Sequence, residues 1–365
     1  MSDILIVGGG IIGLLTAHYL SQAGEDVTVL ERQRIGQESS WAGGGILSPL
    51  YPWRYPPAVN LLARWSQRRY RALADELQAA SGIDPEYIQS GMLILDDAEN
   101  AAANAWASDN GARLRHLGGG ELGRREPAVG PRPAGALLLP AVAQVRNPCL
   151  LLALRRDLER RGVRIAENTE VTRLLHRQGR IRGVATDDGE IVAERVVIAG
   201  GAWSTMLLRE IDQAVEVTPV RGQMLLYRGT PGLLRHIVLH QGHYAIPRRD
   251  GRVLVGSTME EVGFDKAVTT EARQALEDAA RALVPALAEV PLERHWAGLR
   301  PGSPDGIPYI GPHPRLAGLY INTGHFRNGV VMAPASAHLL ADLMLGRRPI
   351  VNPAPFAPDD HSSAA

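Results

Sequence analysis

Residues 4–13 read ILIVGGGIIG, and this stretch decides the fold of the chain. The apolar run Ile4–Val7 has the length of a short buried strand, and the residues after the glycines keep an apolar helical spacing as far as Gly24. A second apolar run, Val27–Leu30, follows and is closed by Glu31. Strand, glycine turn, helix, strand and acid in this order predict a β-α-β unit of roughly 30 residues.

The glycines have the spacing G-x-G-x-x-G at Gly8, Gly10 and Gly13. The first glycine permits the tight turn, the second lets a pyrophosphate approach the backbone, and the third lets helix and strand pack closely. Glu31 stands where an acid accepts a hydrogen bond from a ribose 2′-hydroxyl and repels a 2′-phosphate. The pattern predicts a dinucleotide site and disfavours NADP, with a purely structural glycine turn as the alternative.

The sequence beyond Glu31 favours FAD over NAD. A nicotinamide dehydrogenase would continue with further β-α repeats, whereas residues 31–49, ERQRIGQESSWAGGGILSP, carry little secondary-structure signal. Small residues here would let the backbone approach a large planar ligand, although a flexible surface loop has the same composition. A later strand, VVIAGGAWS, ends in the pair Gly200-Gly201, a turn that matches the second adenine-side contact of flavoproteins.

The composition indicates a globular chain and narrows its partners. Lys plus Arg and Asp plus Glu number 39 each, and this balance argues against a nucleic acid partner. Cys149 is the only cysteine and Lys266 the only lysine, so the chain has no internal disulfide and no cysteine zinc cluster, and we predict no metal site. No apolar stretch approaches the roughly 20 residues that span a bilayer, and no signal peptide is recognisable. We expect a cytoplasmic protein without membrane contact.

Helix and strand patterns alternate along the rest of the chain. Residues 58–81 and 149–161 have amphipathic helical spacing, whereas residues 86–145 and the stretch after Gly201 are rich in short strands. We predict an α/β fold with a discontinuous Rossmann-like FAD-binding domain and an inserted α+β substrate-binding domain built on an antiparallel sheet. The predicted bounds are 1–85, 146–214 and 297–351 for the FAD-binding domain, 86–145 and 215–296 for the substrate-binding domain, and 352–365 for a disordered tail.

Two later stretches hold arginines in settings that suit an anionic ligand. Residues 295–311, HWAGLRPGSPDGIPYIG, place Arg300 in a turn rich in glycine and proline. Residues 323–337, TGHFRNGVVMAPASA, place Arg327 just before a predicted helix that begins near Gly329. A helix N-terminus already favours anions, so an arginine beside it suggests that two anions meet there.

Together with the segments SSWAGGG, HYAIPRRDG and VGSTM, these motifs resemble the glycine oxidase/D-amino-acid oxidase family of FAD enzymes over nearly the whole chain. They resemble in particular the bacterial glycine oxidases of thiamine (thiazole) biosynthesis. The resemblance implies a glutathione-reductase-type FAD-binding domain, non-covalent FAD, and oxidation of glycine, sarcosine or small D-amino acids by O2 with release of H2O2. The imine would hydrolyse to glyoxylate or a keto acid. A homo-oligomer, tetrameric by this resemblance, is also implied.

The same resemblance assigns roles to individual positions. At the substrate, it implies that Arg300 meets the carboxylate with help from Tyr244 and Arg327, and that Met259 lines the pocket. For the cofactor it implies contacts from Ile11, Ile12, Glu31, Arg32, Ser39, Ser40, Gly44, Gly45, Ile46 and Val171, beside Gly8, Gly10, Gly13 and Gly200 of the glycine turns, and from His325, Phe326, Arg327, Asn328, Gly329, Val330 and Val331 at the flavin end.

The chemistry of an amino acid substrate suits these roles. Its carboxylate is a permanent anion, which a guanidinium binds through two parallel hydrogen bonds. If the amine is bound neutral, hydride can pass from the α-carbon to the flavin without a side-chain base, and the helix from Gly329 would stabilise the anionic reduced flavin. We therefore assign no catalytic acid or base.

Each residue also has an ordinary structural interpretation. An arginine on a loop is usually solvated, Tyr244 would suit an aromatic core, and a lone histidine such as His325 or His243 more often packs or forms hydrogen bonds.

Related enzyme classes remain as alternatives. Monomeric sarcosine oxidases tether FAD to a cysteine and activate O2 with a lysine, but Cys149 and Lys266 lie in no matching motif. Eukaryotic D-amino-acid oxidases close an aromatic lid over bulky substrates, and no such lid is recognisable here, which favours small amines. An FAD dehydrogenase of D-amino acids or proline that reduces a quinone is disfavoured by the lack of an amphipathic membrane helix. A tRNA-modifying flavoprotein is disfavoured by the neutral net charge. A catalytically silent FAD-binding subunit of a larger complex is a further alternative, and the activity of the isolated chain would test it.

Overall fold

The computed structural model describes residues 3–96, 99–130, 134–211 and 215–358. The helices in these residues are α1 (Ile11–Gln22), α2 (Ser39–Ala42), α3 (Pro57–Ser81), α4 (Asn100–Asn110), α5 (Gly119–Arg125), α6 (Asn147–Arg160), α7 (Ser204–Leu208), α8 (Thr270–Leu283) and α9 (Gly329–Met344). The strands are β1 (Ile4–Val7), β2 (Val27–Leu30), β3 (Met92–Ile94), β4 (Arg115–Gly118), β5 (Gly135–Leu139), β6 (Arg164–Ala166), β7 (Val171–Arg177), β8 (Arg180–Thr186), β9 (Gly189–Val192), β10 (Arg195–Ile198), β11 (Thr218–Tyr227), β12 (Ile237–His240), β13 (His243–Pro247), β14 (Val253–Gly256), β15 (Leu292–Gly302), β16 (Tyr309–Pro312) and β17 (Leu319–Thr323).

The first sheet has six strands in the order β16-β17-β10-β1-β2-β6 and holds the N-terminal glycine turn. Its strands are parallel except β16, which pairs antiparallel with β17. Val7 and Leu30 are in register, so β1 and β2 end side by side. The predicted β-α-β unit is confirmed, and it brings the start of α1 and Glu31 to the carboxyl edge of the sheet.

The two faces of this sheet are covered by different elements, because alternate residues of a strand point to opposite sides. Ile4 and Ile6 belong to a buried cluster with residues of α1, α3, α6 and α9. Leu5 and Val7 pack instead against the three-stranded antiparallel sheet β7-β8-β9. Antiparallel pairing of β7 with β8 and of β8 with β9 joins these three strands.

The second sheet has eight strands in the order β15-β11-β14-β13-β12-β3-β5-β4, and all its pairs are antiparallel except β12 with β3. Its strands come from the two inserted stretches, as an inserted antiparallel-sheet domain requires. One predicted boundary does not match the structure: the division between residues 296 and 297 falls inside β15, which pairs with β11 without interruption there. The exact domain bounds stay a prediction.

The predicted disordered tail was wrong in its first half. Residues 352–358 include a 3₁₀ turn at Ala354–Phe356, and the Phe356 side chain is fully buried in the hydrophobic cluster that also contains residues of α1, α3 and α9. Polar and proline-rich composition suggested fraying, but one aromatic anchor is enough to order such a segment. Residues 359–365 lie outside the described residues.

Candidate active site

A cavity of about 450 Å³ is lined by residues of both large sheets. It extends from the glycine turn after β1 to the end of β15 and the start of α9. Most of the residues predicted to bind cofactor or substrate lie in its wall, namely Gly8, Gly10, Ile11, Ile12, Glu31, Arg32, Ser39, Ser40, Gly44, Gly45, Ile46, Val171, Gly200, Tyr244, His325, Phe326, Arg327, Asn328, Gly329, Val330, Val331 and Arg300. Their individual contacts with ligands stay predictions.

The glycine turn leaves no room for side chains. Gly8 has a positive φ of 112°, and a Cβ there would lie 2.4 Å from the carbonyl oxygen of Ala199. A Cβ on Gly13 would lie 2.0 Å from the carbonyl oxygen of Gly8, so Gly13 does not line the cavity but allows α1 to pack against the turn. The result is a bare backbone cradle at a helix N-terminus, which suits a pyrophosphate.

Glu31 is buried at the edge of the cradle, and its carboxylate is oriented by two backbone groups. The N–H of Gly9 donates to Oε2 at 2.8 Å, and the N–H of Gln33 donates to Oε1 at 3.0 Å. A carboxylate accepts about four hydrogen bonds, so it retains capacity for ribose hydroxyls. This geometry fits the role expected from the sequence.

The loop after Glu31 is held by residues that sequence reasoning missed. Asn147 Nδ2 donates to the carbonyl oxygens of Ser40 and Gly43 at 2.7 and 3.0 Å. Arg248 donates to the carbonyl oxygen of Gly44 at 2.8 Å, and burial lowers the pKa of Arg248 to about 10. The only available signal for Arg248 was its place in HYAIPRRDG. The backbone of this glycine-rich loop is therefore fixed beside the cavity.

The half of the cavity that lies beside the glycine turn, which we call the nucleotide half, also contains the stacked guanidinium of Arg32. The guanidinium carbon of Arg32 lies 3.6 Å from the ring centroid of Trp203, and Arg32 Nη2 donates to Glu38 Oε1 at 2.8 Å. All three residues line the cavity. Trp203 was not predicted, although it follows the glycine pair that was.

Arg300 lies where the cavity reaches the end of β15 and the start of α9, which we call the substrate end. Oxygen acceptors hold its guanidinium there. Its Nη2 donates to Ser257 Oγ at 2.7 Å, and its Nη1 donates to the carbonyl oxygen of Thr258 at 3.1 Å. Burial lowers the pKa of Arg300, a nearby Tyr244 hydroxyl opposes that shift, and the charge of Arg327 adds to it. The charge of Arg327 therefore reaches Arg300, and both arginines line the same cavity.

No carboxylate contacts either of these arginines in the part of the chain that the structure describes. A partly buried cation without an anion is costly, and two of them beside one cavity are costlier still. Together they form a site that would be stabilised by a carboxylate ligand.

The helix α9 begins at Gly329, as predicted, and its first turn lines the cavity. Pro334 lies inside the helix and has no N–H to offer the carbonyl oxygen of Val330. The hydroxyl of the fully buried Tyr70 donates to that oxygen instead, and Ser66 Oγ accepts from the N–H of Ala335 at 3.0 Å. Helix α3 thus supports the helix terminus that faces the cavity.

His325 is buried beside this terminus, with Nε2 2.6 Å from Ser336 Oγ. Burial lowers the pKa of His325 to about 3, so the imidazole is neutral at physiological pH. Burial, together with the charge of Arg327, also lowers the pKa of His243.

One expectation about the pocket wall does not match the structure. Met259 is not among the lining residues: its side chain is 55% exposed, and its sulfur lies 3.4 Å from Arg327 Nη1. Near this end of the cavity Leu50 lines the wall, and the hydroxyl of the adjacent Tyr51 donates to Asp96 Oδ2 at 2.7 Å.

Comparison with known proteins agrees with this geometry. A protein-family model described as FAD dependent oxidoreductase (DAO) matches residues 3–343. The glycine oxidase of Pseudomonas aeruginosa is 49% identical over 356 residues, which cover 97% of this chain and 98% of that one. The bifunctional protein ThiO/ThiG of Synechocystis is 34% identical, over 95% of this chain and 52% of its own length. The crystal structure of glycine oxidase from Geobacillus kaustophilus has a TM-score of 0.94 at 31% identity and covers 99% of both chains.

The chain therefore belongs to the family of FAD-dependent oxidoreductases. FAD fits this site as the cofactor, because the site combines the glycine cradle, the Glu31 carboxylate held by two backbone N–H groups and the glycine-rich loop. Cys149, the only cysteine, is not among the residues that line the cavity, so it offers no thioether link to a flavin there. No helix in the described ranges is both long and apolar enough to cross a membrane.

Proposed function

We propose that this chain is an FAD-dependent oxidase of glycine and other small primary or secondary amines. One observation carries the proposal: Arg300 and Arg327 line one cavity, close to each other and without a carboxylate partner among the described residues. The 49% identity to a glycine oxidase over nearly the whole chain supports the same substrate class.

Arg300 would bind the substrate carboxylate. Its guanidinium is already oriented by Ser257 and Thr258, which leaves little rotamer freedom to lose on binding. Arg327 would add a second positive charge, and Tyr244, buried and near Arg300, would direct its hydroxyl to the same anion. This arrangement would fix the α-carbon in one position relative to the cofactor.

The chemistry that FAD supplies when bound is acceptance of a hydride from the α-carbon and return of two electrons to O2, which gives H2O2. The chain contributes positioning and electrostatics. The first turn of α9 directs its N-terminal dipole into the cavity, where it would stabilise negative charge that develops during the reaction. His325 is neutral and engaged with Ser336, and no catalytic base is assigned to it.

The test is an assay of the purified, FAD-loaded chain with glycine, sarcosine, D-alanine and D-proline. We expect H2O2 in a peroxidase-coupled assay and bleaching of the flavin absorbance when substrate is added without air. Reduction of an artificial dye with little H2O2 in air would indicate the dehydrogenase class instead. A chain that cannot retain FAD, or that is not reduced by any of the four amines, would overturn the proposal.

The wider role is part of the same proposal. When glycine is the substrate, the imine hydrolyses in water to glyoxylate. The oxidation of glycine would serve thiazole assembly for thiamine, and the match to a ThiO/ThiG protein supports this role. A cytoplasmic location and a homo-oligomer, tetrameric as the resemblance implies, are also proposed. Light scattering of the purified protein measures the oligomeric state.

A further inference from the structure

Residues 257–269 form an irregular segment between β14 and α8, which we call the strap. Both of its ends are tied to the buried side chain and backbone of Gln223 on β11. The N–H of Gln223 donates to Thr258 Oγ1 at 2.9 Å, and the N–H of Thr269 donates to Gln223 Oε1 at 3.1 Å. The strap is therefore an arch whose ends are fixed at one point of the second sheet.

The first residues of the strap contact both arginines of the substrate end. Ser257 Oγ and the carbonyl oxygen of Thr258 accept from Arg300, and the sulfur of Met259 lies against Arg327. A displacement of the strap would therefore move the acceptors that orient the guanidinium of Arg300.

The centre of the strap is anchored by Arg221, a buried arginine on β11. Glu260 and Arg221 exchange both backbone hydrogen bonds, at 2.8 and 3.0 Å. Arg221 also forms ion pairs with Glu260 Oε2 at 2.5 Å and with Asp265 Oδ2 at 2.6 Å. A buried cation with two acids resists separation, so the centre is the rigid part of the arch.

The later residues of the strap, Phe264 and Lys266, contact the wall of the nucleotide half of the cavity from outside. The rings of Phe264 and Trp203 have centroids 5.5 Å apart, and Trp203 stacks on Arg32. Lys266 Nζ lies 3.0 and 3.1 Å from the two carboxylate oxygens of Glu38, which also accepts from Arg32. Phe264 and Lys266 do not line the cavity, but Trp203, Arg32 and Glu38 do.

We propose that the strap clasps the nucleotide wall of the cavity, and that Lys266 is a positioning residue which retains FAD by holding Glu38 and Arg32 in place. Because the same strap carries the acceptors of Arg300, occupation of the substrate end and closure of the nucleotide end are coupled. The first part depends only on FAD binding, whereas the coupling rests on the proposed amino acid substrate. The Lys266–Glu38 pair is the releasable contact, since it is partly exposed and so weakened by salt.

The first experiment measures the rate of FAD release from the holoenzyme by the rise in flavin fluorescence after dilution. For Lys266→Met we expect release to be about two- to fivefold faster at low salt, with the difference disappearing at high salt. Lys266→Arg keeps the positive charge opposite Glu38 and is expected to release FAD at close to the wild-type rate.

The matched control is Arg281→Met. This substitution removes an ion pair of similar exposure with Glu277 and Asp278 on α8, away from the strap and the cavity. Release at the wild-type rate from the Lys266→Met holoenzyme, or an equal change in the Arg281→Met holoenzyme, overturns the clasp.

The coupling is tested through the single lysine. Besides the N-terminal amine, Lys266 is the only amine that an acylating reagent can modify, so intact mass and peptide mapping report its accessibility directly. Glycolate has the carboxylate of glycine but no amine, and we expect it to slow Lys266 acylation severalfold in the holoenzyme. If glycolate perturbs the flavin spectrum without changing the acylation rate, coupling is refuted. If it perturbs neither, the proposed substrate site is refuted, while the FAD-release result still decides the clasp.

Discussion

The guanidinium group of Arg300 lies directly on the backbone of Gly222: a Cβ at position 222 would be 2.2 Å from both Nη1 and Nη2. The two residues belong to the adjacent antiparallel strands β11 and β15. A real Cβ atom cannot approach that closely, so any side chain at Gly222 would displace the arginine that faces the substrate end.

This contact predicts the effect of Gly222→Ala. The added methyl group should move Arg300 off its Ser257 acceptor, and kcat/KM for glycine should fall on the order of 100-fold, since misplacement by about 1 Å costs that much. FAD content, read from the visible spectrum, should stay at the wild-type level. Gly118→Ala serves as the control because no atom lies within 4 Å of its added Cβ. Normal kinetics in Gly222→Ala would show that Arg300 is not needed where it lies.

The charge and the geometry of Arg300 can be separated by two substitutions. Arg300→Met should remove the carboxylate partner and cost about 2–5 kcal/mol of substrate binding, mostly in KM. Arg300→Lys keeps the charge but not the planar pair of donors, so an intermediate loss is expected. Steady-state kinetics with glycine and inhibition by glycolate measure both effects. Equal losses in the two variants would indicate that charge alone is irrelevant at this position.

Parts of the fold that depend on neighbouring residues were predictable from the sequence. Gly8, Gly10 and Glu31 specify the β-α-β unit through local spacing. The position of Arg327 beside a helix N-terminus follows from its place just before Gly329. Contacts between distant segments were not predictable. Gly222 lies 78 positions before the arginine that it accommodates, and its sequence context, VRGQ, carries no sign of that contact.

The wrong expectations have related causes. Met259 was assigned to the pocket by its motif, but it is exposed and precedes Glu260, whose backbone pairs with that of Arg221. The tail was judged by composition, whereas the burial of Phe356 depends on a surface formed by distant helices. In both cases tertiary contacts overrode a local pattern.

The pairing of Tyr70 with Pro334 predicts a compensating pair of substitutions. Tyr70→Phe leaves the partly buried carbonyl oxygen of Val330 without this donor and should lower the free energy of unfolding by about 1 kcal/mol. Pro334→Ala restores an N–H that can donate to the same oxygen within the helix, so the double variant should recover part of the loss. Urea unfolding of the four proteins gives the coupling energy. Strict additivity of the two substitutions would contradict the role assigned to this hydroxyl.

The buried imidazole of His325 makes a prediction about pH. Its pKa is lowered to about 3 in the folded chain, whereas an unfolded histidine titrates near pH 6.5. The unfolded state therefore binds the extra proton first, so the contribution of His325 to stability is fully present above about pH 6.5 and is lost as the pH falls towards 3, at up to about 1.4 kcal/mol per pH unit. His325→Gln should flatten this part of the stability profile, measured by urea unfolding at successive pH values, whereas Ser336→Ala, which keeps the imidazole, should leave the slope in place.

The kcat/KM profile between pH 6 and 8 should show no ionisation that disappears in His325→Gln, because the imidazole is already neutral there. An ionisation lost with His325 in that range would mean that the histidine titrates in the active enzyme.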